Sequence, residues 1–168
     1  MGAGWKKVTF GSTGLQVSPI GIGSSFGLET RDVERAFERG INFLFWGLAR
    51  RPAFGKAVRN IAAREREKLV LAIQSYSRST LLMRLSVEVA LRRVKTDYVD
   101  LLTLGWWNAP PPARIVDAAL ELQRIGKVKH LMISSHQRPT FGTLIKDPSY
   151  GAIMVRYNAA HPGAEREV

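Results

Sequence analysis

The chain has 168 residues, of which 45% are hydrophobic and 23% charged, a balance typical of one globular domain that can bury a core. It contains no cysteine, which excludes disulfides, zinc–thiolate sites and thiol catalysis, and we expect no metal site. No apolar run is long enough to span a bilayer, and the first residues lack the pattern of a secretory signal. We therefore expect a cytoplasmic protein without a membrane partner.

A formal net charge of +11 is compatible with an acidic partner such as nucleic acid. The densest basic run, residues 50–68, lies around one predicted helix and is interrupted by Glu65 and Glu67. No aromatic side chains interleave with it as stacking platforms for bases. The run therefore favours a solvated helix face over a nucleic-acid surface.

The chain alternates predicted strands and helices from end to end. A hairpin over residues 8–17 turns at a glycine-containing segment and leads into a short strand at 20–23. A helix is predicted with Thr30 as its N-cap and Gly40 as its C-terminal stop. The next strands are predicted at 41–46, 69–73, 98–104, 130–133 and 152–155, and the helices between them at 53–66, 80–95, 113–124 and 140–145.

Strands that are apolar on both faces and joined by helices indicate an α/β fold with a parallel sheet covered on both sides. Two architectures fit this pattern, a doubly wound open sheet and a (β/α) barrel. The doubly wound dinucleotide fold carries a G-x-G-x-x-G turn after its first strand. Residues 21–27 approximate that rhythm but miss the last glycine by one place, so this motif is weak.

Several segments, in order along nearly the whole chain, carry a resemblance to the aldo/keto reductases. They are residues 11–23, 36–43, 66–72, 87–102, 126–136 and 155–158. The resemblance implies a (β/α)8 TIM-type barrel with an N-terminal β-hairpin that closes its bottom. An eight-stranded barrel takes about 250 residues, so we expect residues 1–168 to form a single barrel domain that is C-terminally incomplete, truncated after about strand six.

The resemblance also implies an oxidoreductase that reduces carbonyls with NADP(H), in which a lysine, an aspartate and a histidine tune a proton-donating tyrosine. A tyrosine needs such neighbours because its pKa is otherwise too high for proton donation near neutral pH. The positions of the aspartate, tyrosine, lysine and histidine hold Phe45, Arg50, Gln74 and Gly105. The standard set is therefore replaced.

Three other residues are possible substitutes for the missing acid. Tyr76 lies two residues beyond the lysine position, and His136 and His161 follow the fifth and sixth sheet strands. Active sites of barrels lie at this carboxyl end of the strands. For each of the three, a structural role is the favoured interpretation.

Cofactor contacts are partly retained under the same resemblance. The nicotinamide amide would meet Ser134, Ser135 and Met154, and Tyr157 matches the end of the sixth strand. Met154 offers no hydrogen bond comparable with that of the family's glutamine. The family's seventh and eighth strands, which carry the adenosine and phosphate contacts, are not matched, so we expect weak NADP(H) binding in this truncated chain.

Unpaired barrel edges would also favour self-association. The chain is then a fragment of a longer protein, a short paralogue that closes through a partner, or an open sheet, and we favour the first.

Two functions from different classes therefore stay open. The first is a reductase-type oxidoreductase with a non-standard site. The alternative is a catalytically inactive barrel, a pseudoenzyme, that binds a small anionic or aromatic ligand. Its pocket would contain Trp46, Arg50, Trp106, Trp107 and Asn158, with Arg51 as a second cation, unless the tryptophans fill core or loop space instead. Nucleic-acid binding is a third, less favoured possibility.

Overall fold

A computed structural model of the protein describes residues 5–47 and 51–168. The chain begins with an antiparallel hairpin of β1 (Val8–Thr9) and β2 (Gln16–Val17). The turn uses Gly11 at φ 55° and Gly14 at φ 74°, a left-handed conformation that glycine adopts without steric cost. The predicted hairpin is therefore present.

The main sheet is parallel and has six strands whose spatial order equals their chain order. They are β3 (Ile22–Gly23), β4 (Phe43–Trp46), β5 (Val70–Ser75), β6 (Val99–Leu104), β7 (Val128–Ser134) and β8 (Tyr150–Met154). A doubly wound sheet would reverse its strand order at a switch point, whereas a barrel adds each strand to the same side. The order confirms a barrel-type sheet with six strands in the described residues and excludes the doubly wound alternative.

Six helices alternate with the strands of the described chain or follow them. They are α1 (Thr30–Glu38), α2 (Pro52–Glu65), α3 (Thr80–Val94), α4 (Ala113–Arg124), α5 (Phe141–Leu144) and α6 (Ala164–Glu167). Pro52 opens α2, where its missing N–H costs nothing, and the Ser79 side chain caps α3 by accepting from the Leu82 N–H. No helix in the described ranges is both long and apolar enough to cross a membrane.

Alternate strand residues face two separate apolar layers. The outer layer lies between the sheet and the helices and contains Leu44, Trp46 and Ile73. The inner layer contains Val17 of the hairpin together with Val70, Ala72, Leu101 and Met132 of the sheet. Because Val17 packs against the inner face, the hairpin covers the amino end of the barrel, and the carboxyl end is the face left for a site.

Asp100 anchors a buried polar network near the amino end of the sheet. Its Oδ2 accepts from the Leu71 N–H at 2.9 Å and from Arg66 Nη2 at 2.8 Å, while Lys129 Nζ lies 3.5 Å from Oδ1. The Asp100 side chain is only 3% exposed. A carboxylate so buried requires partners of this kind, and this one has three.

Asn42 joins the hairpin to the sheet at the same end. Its Oδ1 accepts from the Ser18 N–H at 2.7 Å, and its Nδ2 donates to the carbonyls of Gln16 at 2.9 Å and Lys68 at 3.2 Å. This explains the single polar residue in the otherwise apolar strand predicted at 41–46, since a buried amide is stable when its donors and acceptor are satisfied.

Candidate functional site

A cavity of about 680 Å³ opens at the carboxyl ends of β3, β4, β5 and β6. Its walls come from the last residues of these strands and from the loops that follow them. They include Ser24, Phe45, Gly47, Gln74, Tyr76 and Trp106. Parallel strands bring these segments together at one edge of the sheet, the position at which barrel enzymes place their active sites.

Three aromatic rings form a row beside this cavity. The ring centroids of Tyr76 and Trp106 lie 4.7 Å apart at 57°, and those of Trp106 and His136 lie 5.0 Å apart at 48°. Tyr76 is 47% exposed and Trp106 is 51% exposed, so neither ring is consumed by the core. Large apolar surface left open in a cavity is a feature of ligand sites.

A polar layer lies under the rings, on the inner face of the sheet. The Tyr76 hydroxyl donates to Gln74 Oε1 at 2.9 Å, and Gln74 Nε2 donates to Ser134 Oγ at 3.4 Å. Ser134 Oγ also accepts from the Trp106 N–H at 3.0 Å. The neighbouring Thr103 hydroxyl is buried without a hydrogen-bond partner among the described residues. This layer therefore keeps unused hydrogen-bonding capacity.

Arg78 holds the loops after β5 and β6 together. Its guanidinium donates to the carbonyls of Tyr76 at 3.2 Å, Gly105 at 3.1 Å and Trp106 at 2.6 Å, and it lies 3.8 Å from the centroid of the Trp107 ring. Trp106 has φ 55°, a left-handed conformation that costs a non-glycine residue about 1–3 kcal/mol. The contacts of Arg78 stabilise that conformation and so position the Trp106 ring.

Three of the four positions at which the sequence predicts replacement of the family's catalytic set lie in the described residues. Phe45 and Gln74 line the cavity, and Gly105 is buried next to Gln74, while Arg50 lies outside the described residues. An ideal Cβ on Gly105 would lie 2.6 Å from Gln74 Nε2 and 2.8 Å from the Tyr76 ring. The structure thus places two of the four positions in the cavity lining, and Gln74 and Tyr76 occupy the space next to Gly105.

The three possible substitute acids lie in different surroundings. Tyr76 lines the cavity, and the exposed His136 ring contacts Trp106 at its margin. His161 is exposed, and its Nδ1 lies 3.0 Å from Asn158 Oδ1 in a bridge beyond β8. Tyr76 and His136 are therefore brought to the same aromatic row, and His161 is not part of it.

The residues predicted to hold the nicotinamide also lie in different surroundings. Ser134 and Met154 are paired in register on β7 and β8, with Met154 against the inner apolar layer. The Ser135 hydroxyl lies 3.3 Å from Asn108 Oδ1 and donates to the Gln137 carbonyl at 3.1 Å. Tyr157 is 57% exposed and donates to Glu165, which raises the pKa of Tyr157. Ser134 is the member of this group that also contacts the cavity wall.

Among the described residues of the predicted ligand pocket, Trp106 is the one that lines the cavity. Trp46 is 1% exposed and packs in the outer layer against Gly55 of α2. The alternation of β4 explains this, because it turns Phe45 inward and therefore turns Trp46 outward. Trp107 is partly buried under Arg78, and Asn158 is exposed beyond β8. The prediction of Trp46 as a pocket residue is thus wrong, and its ring is part of the core.

Several cavity residues were not anticipated from the sequence. They are Ser24, Ser25, Gly47, Ser75, Ser77, Leu82 and Ser86. Serines after successive strands were the available signal, but serine is common in loops and does not by itself distinguish a site. Arg51, which was anticipated as a cation, does line the cavity. Within residues 5–47 and 51–168, no group of three His, Asp or Glu side chains is arranged to hold a metal.

Comparisons with known proteins concern the family and the fold of this chain. The family model of the aldo/keto reductase family matches residues 18–141. Among solved structures, the holo form of an aldo-keto reductase from Bacillus halodurans is similar at 25% identity and a TM-score of 0.80, over 91% of this chain and 58% of that one. A search of curated proteins found no match.

Two further structures share the fold at lower identity. An aldo/keto reductase from Klebsiella pneumoniae in complex with NADP and acetate is 23% identical with a TM-score of 0.80, over 98% of this chain and 62% of that one. A thermostable aldo-keto reductase in complex with the inhibitor epalrestat is 22% identical with a TM-score of 0.79, over 96% and 66%. This chain thus spans about three fifths of these proteins, and it belongs to the aldo/keto reductase family.

Proposed function

We propose that the carboxyl-end cavity binds a small organic ligand that has an aromatic ring and an anionic group. The observation that carries this proposal is the Tyr76–Trp106 ring pair, about half exposed at a cavity of about 680 Å³. A planar ligand ring would cover apolar surface that the fold leaves in contact with water. Offset and tilted ring contacts add about 0.5–1.5 kcal/mol to that burial.

The anionic group is proposed from the polar lining of the cavity. Arg51 lines it and uses one amino group to donate to the Ser25 carbonyl at 3.2 Å. A guanidinium has five N–H donors, so this bond leaves donors for a carboxylate or a similar anion. Hydroxyls of Ser24 and Ser75 lie in the same lining, and the net charge of +11 favours an anion.

The standard proton relay of the family does not fit the described residues of this cavity. Phe45 is a hydrocarbon, and Gln74 is a neutral amide whose Oε1 accepts a hydrogen bond from the Tyr76 hydroxyl. Neither side chain carries the charge that the family resemblance assigns to the aspartate and lysine positions. We therefore propose ligand binding without the family's standard reduction.

NADP(H)-linked carbonyl reduction at a non-standard site is the second candidate. Two observations favour it: the Tyr76 hydroxyl reaches the cavity, and Ser134 lies beside Gln74. The similar Klebsiella protein is in complex with NADP. In this reaction a hydride from the nicotinamide would add to the carbonyl carbon, and Tyr76 would supply the proton to the oxygen.

Titration of the 168-residue chain with 2-naphthoate, followed by calorimetry, tests the first proposal. We expect saturable binding that Arg51→Gln weakens about 10-fold, because a charge-assisted hydrogen bond is lost. Arg31→Gln is the matched control, since Arg31 is 88% exposed on α1 and should leave the affinity unchanged. A naphthoate affinity that is unmeasurable, or that both variants reduce equally, would contradict a specific anion site.

A kinetic assay separates the second candidate from the first. The chain is mixed with NADPH and 2-naphthaldehyde, and NADPH oxidation is followed by absorbance. Ligand binding without reduction predicts no aldehyde-dependent oxidation. Oxidation that depends on the aldehyde and is lost in Tyr76→Phe would instead establish the reductase reaction with Tyr76 as its acid.

A further inference from the structure

We infer that Tyr76 is the specificity-determining residue of the cavity and that Gly105 is the residue that admits it. The inference rests on the proposed ligand site and goes further by naming what shapes it. Tyr76 directly follows β5, and Gly105 directly follows β6. The Gly105 N–H donates to the Ser75 carbonyl at 2.9 Å, which fixes the two strand ends side by side.

The Tyr76 ring lies almost directly on the Gly105 backbone. An ideal Cβ at this position would lie 2.8 Å and 3.0 Å from two ring carbons of Tyr76, and 2.6 Å from Gln74 Nε2. Distances under 3.0 Å essentially never occur for real Cβ atoms, so any side chain here would displace its neighbours. A side chain at position 105 therefore requires the Tyr76 ring and the Gln74 amide to move.

Space, rather than backbone conformation, is what requires a glycine here. Gly105 is not among the glycines with positive φ, which include Gly27 and Gly126. Alanine is therefore compatible with the backbone at position 105, and the substitution adds one methyl group without left-handed strain. Gly105→Ala therefore tests the space that the Tyr76 ring and the Gln74 amide occupy next to position 105.

Three contacts fix the Tyr76 ring once Gly105 has admitted it. Among the described residues, the Tyr76 ring packs on Trp106 at 4.7 Å, its hydroxyl donates to Gln74 at 2.9 Å, and the backbone carbonyl of Tyr76 accepts from Arg78 at 3.2 Å. The cavity wall is consequently a flat aromatic surface with one oxygen at its edge. Such a wall selects a planar ring, and the histidine implied at position 105 by the family resemblance is replaced by the ring of a neighbouring residue.

Affinity for 2-naphthoate tests this assignment in the full chain. We expect Tyr76→Ala to weaken binding about 10-fold and Tyr76→Phe to change it less than about 3-fold, because the ring face provides most of the contact. Gly105→Ala should weaken binding about as much as Tyr76→Ala. Gly142→Ala is the control outside the cavity, since no atom beyond its own helix backbone and chain neighbours lies within 4 Å of its ideal Cβ in the described residues, and it should change the affinity little.

The double variant decides whether Gly105 acts through Tyr76. If it does, Gly105→Ala combined with Tyr76→Ala binds no more weakly than Tyr76→Ala alone, since the displaced ring is already gone. Losses that multiply, or wild-type affinity in Gly105→Ala, would overturn the inference. Far-UV circular dichroism of each variant verifies that the fold is intact.

A second measurement keeps this test independent of the ligand. In urea unfolding, Gly105→Ala should destabilise the wild-type chain clearly more than it destabilises the Tyr76→Ala variant, because the contact with the ring is absent there while the contact with Gln74 remains in both. Equal destabilisation in both backgrounds would overturn the pairing of the two residues. If naphthoate does not bind the wild type but this coupling is found, the proposed function fails and the steric pairing of Gly105 with Tyr76 stands.

Discussion

The two ends of the barrel use their polar side chains in opposite ways. At the amino end, Asp100 contacts three partners and Asn42 makes three side-chain hydrogen bonds, and both are buried. At the carboxyl end, the Thr103 hydroxyl has no partner in the described chain, and Gln74 reaches Ser134 only at 3.4 Å. Trp106 there is half exposed and in a left-handed conformation.

This difference indicates that the amino end contributes mainly to stability and the carboxyl end to binding. A buried polar group whose hydrogen bonds are complete stabilises one arrangement of the chain. Strain, exposed rings and unused donors cost stability and persist where binding requires them. In barrels the amino face serves stability and the carboxyl face carries the site. Substitutions at the two ends should therefore separate loss of folding from loss of binding.

The largest effect is expected from Asp100→Ala. The substitution leaves the buried Leu71 N–H without its acceptor and removes the carboxylate partner of Arg66, and breaking a buried ion pair costs about 3–5 kcal/mol. Urea unfolding measures the change. The control is Asp97→Ala, which removes an exposed carboxylate and should cost less than about 0.5 kcal/mol. Equal effects would break the proposed contrast between the ends.

Asn42→Ala should have the next largest effect. It leaves the Ser18 N–H and the carbonyls of Gln16 and Lys68 without their side-chain partner, and unsatisfied buried groups cost about 1–3 kcal/mol. The matched control is Asn60→Ala, which removes one bond to Glu34 between α2 and α1. An unfolding free energy that falls no further in Asn42→Ala than in the control would contradict the role of Asn42 in anchoring the hairpin.

Arg78→Lys should affect binding more than stability. Lysine keeps the charge but loses the planar fork that reaches three carbonyls, so we expect a cost of about 1 kcal/mol in unfolding. Affinity for 2-naphthoate should fall about 5-fold, because Trp106 is less firmly positioned. Calorimetry and urea unfolding on the same sample compare the two. A stability loss as large as that of Asp100→Ala would place Arg78 with the folding network instead.

The smallest effect concerns His130 on β7. Burial lowers the pKa of His130, so the folded chain takes up its proton less readily than the unfolded chain, whose histidine pKa is about 6.5. Keeping His130 neutral therefore costs no stability above about pH 6.5. As the pH falls below that value, the unfolded chain binds the proton first, and the free energy of unfolding falls. His130→Gln should therefore make unfolding free energy fall less steeply between about pH 7 and 5. An unchanged slope would show that His130 does not contribute.

Apolar runs that alternate with helical patterns were sufficient to predict the order of the strands and helices. Turn residues were sufficient to predict the hairpin, because both signals are local in the sequence. The cavity edge also followed from sequence, because the carboxyl ends of parallel strands must meet. The error at Trp46 arose at a strand end, where a shift of one residue exchanges the inner and outer faces. The contacts of Tyr76 with Gly105 and of Arg78 with three carbonyls join separate loops, and no local pattern encodes them.

The most direct test of ligand binding at the aromatic wall is a titration followed by the indole N–H signals of the tryptophans. With 15N-labelled chain and increasing 2-naphthoate, the account predicts a saturable shift of the Trp106 signal, while the core residue Trp46 stays unchanged. The Trp106→Phe variant assigns the signal. A saturable shift confined to Trp46 or the distant Trp5, or no shift at all, would contradict the proposal that this cavity binds an aromatic anion.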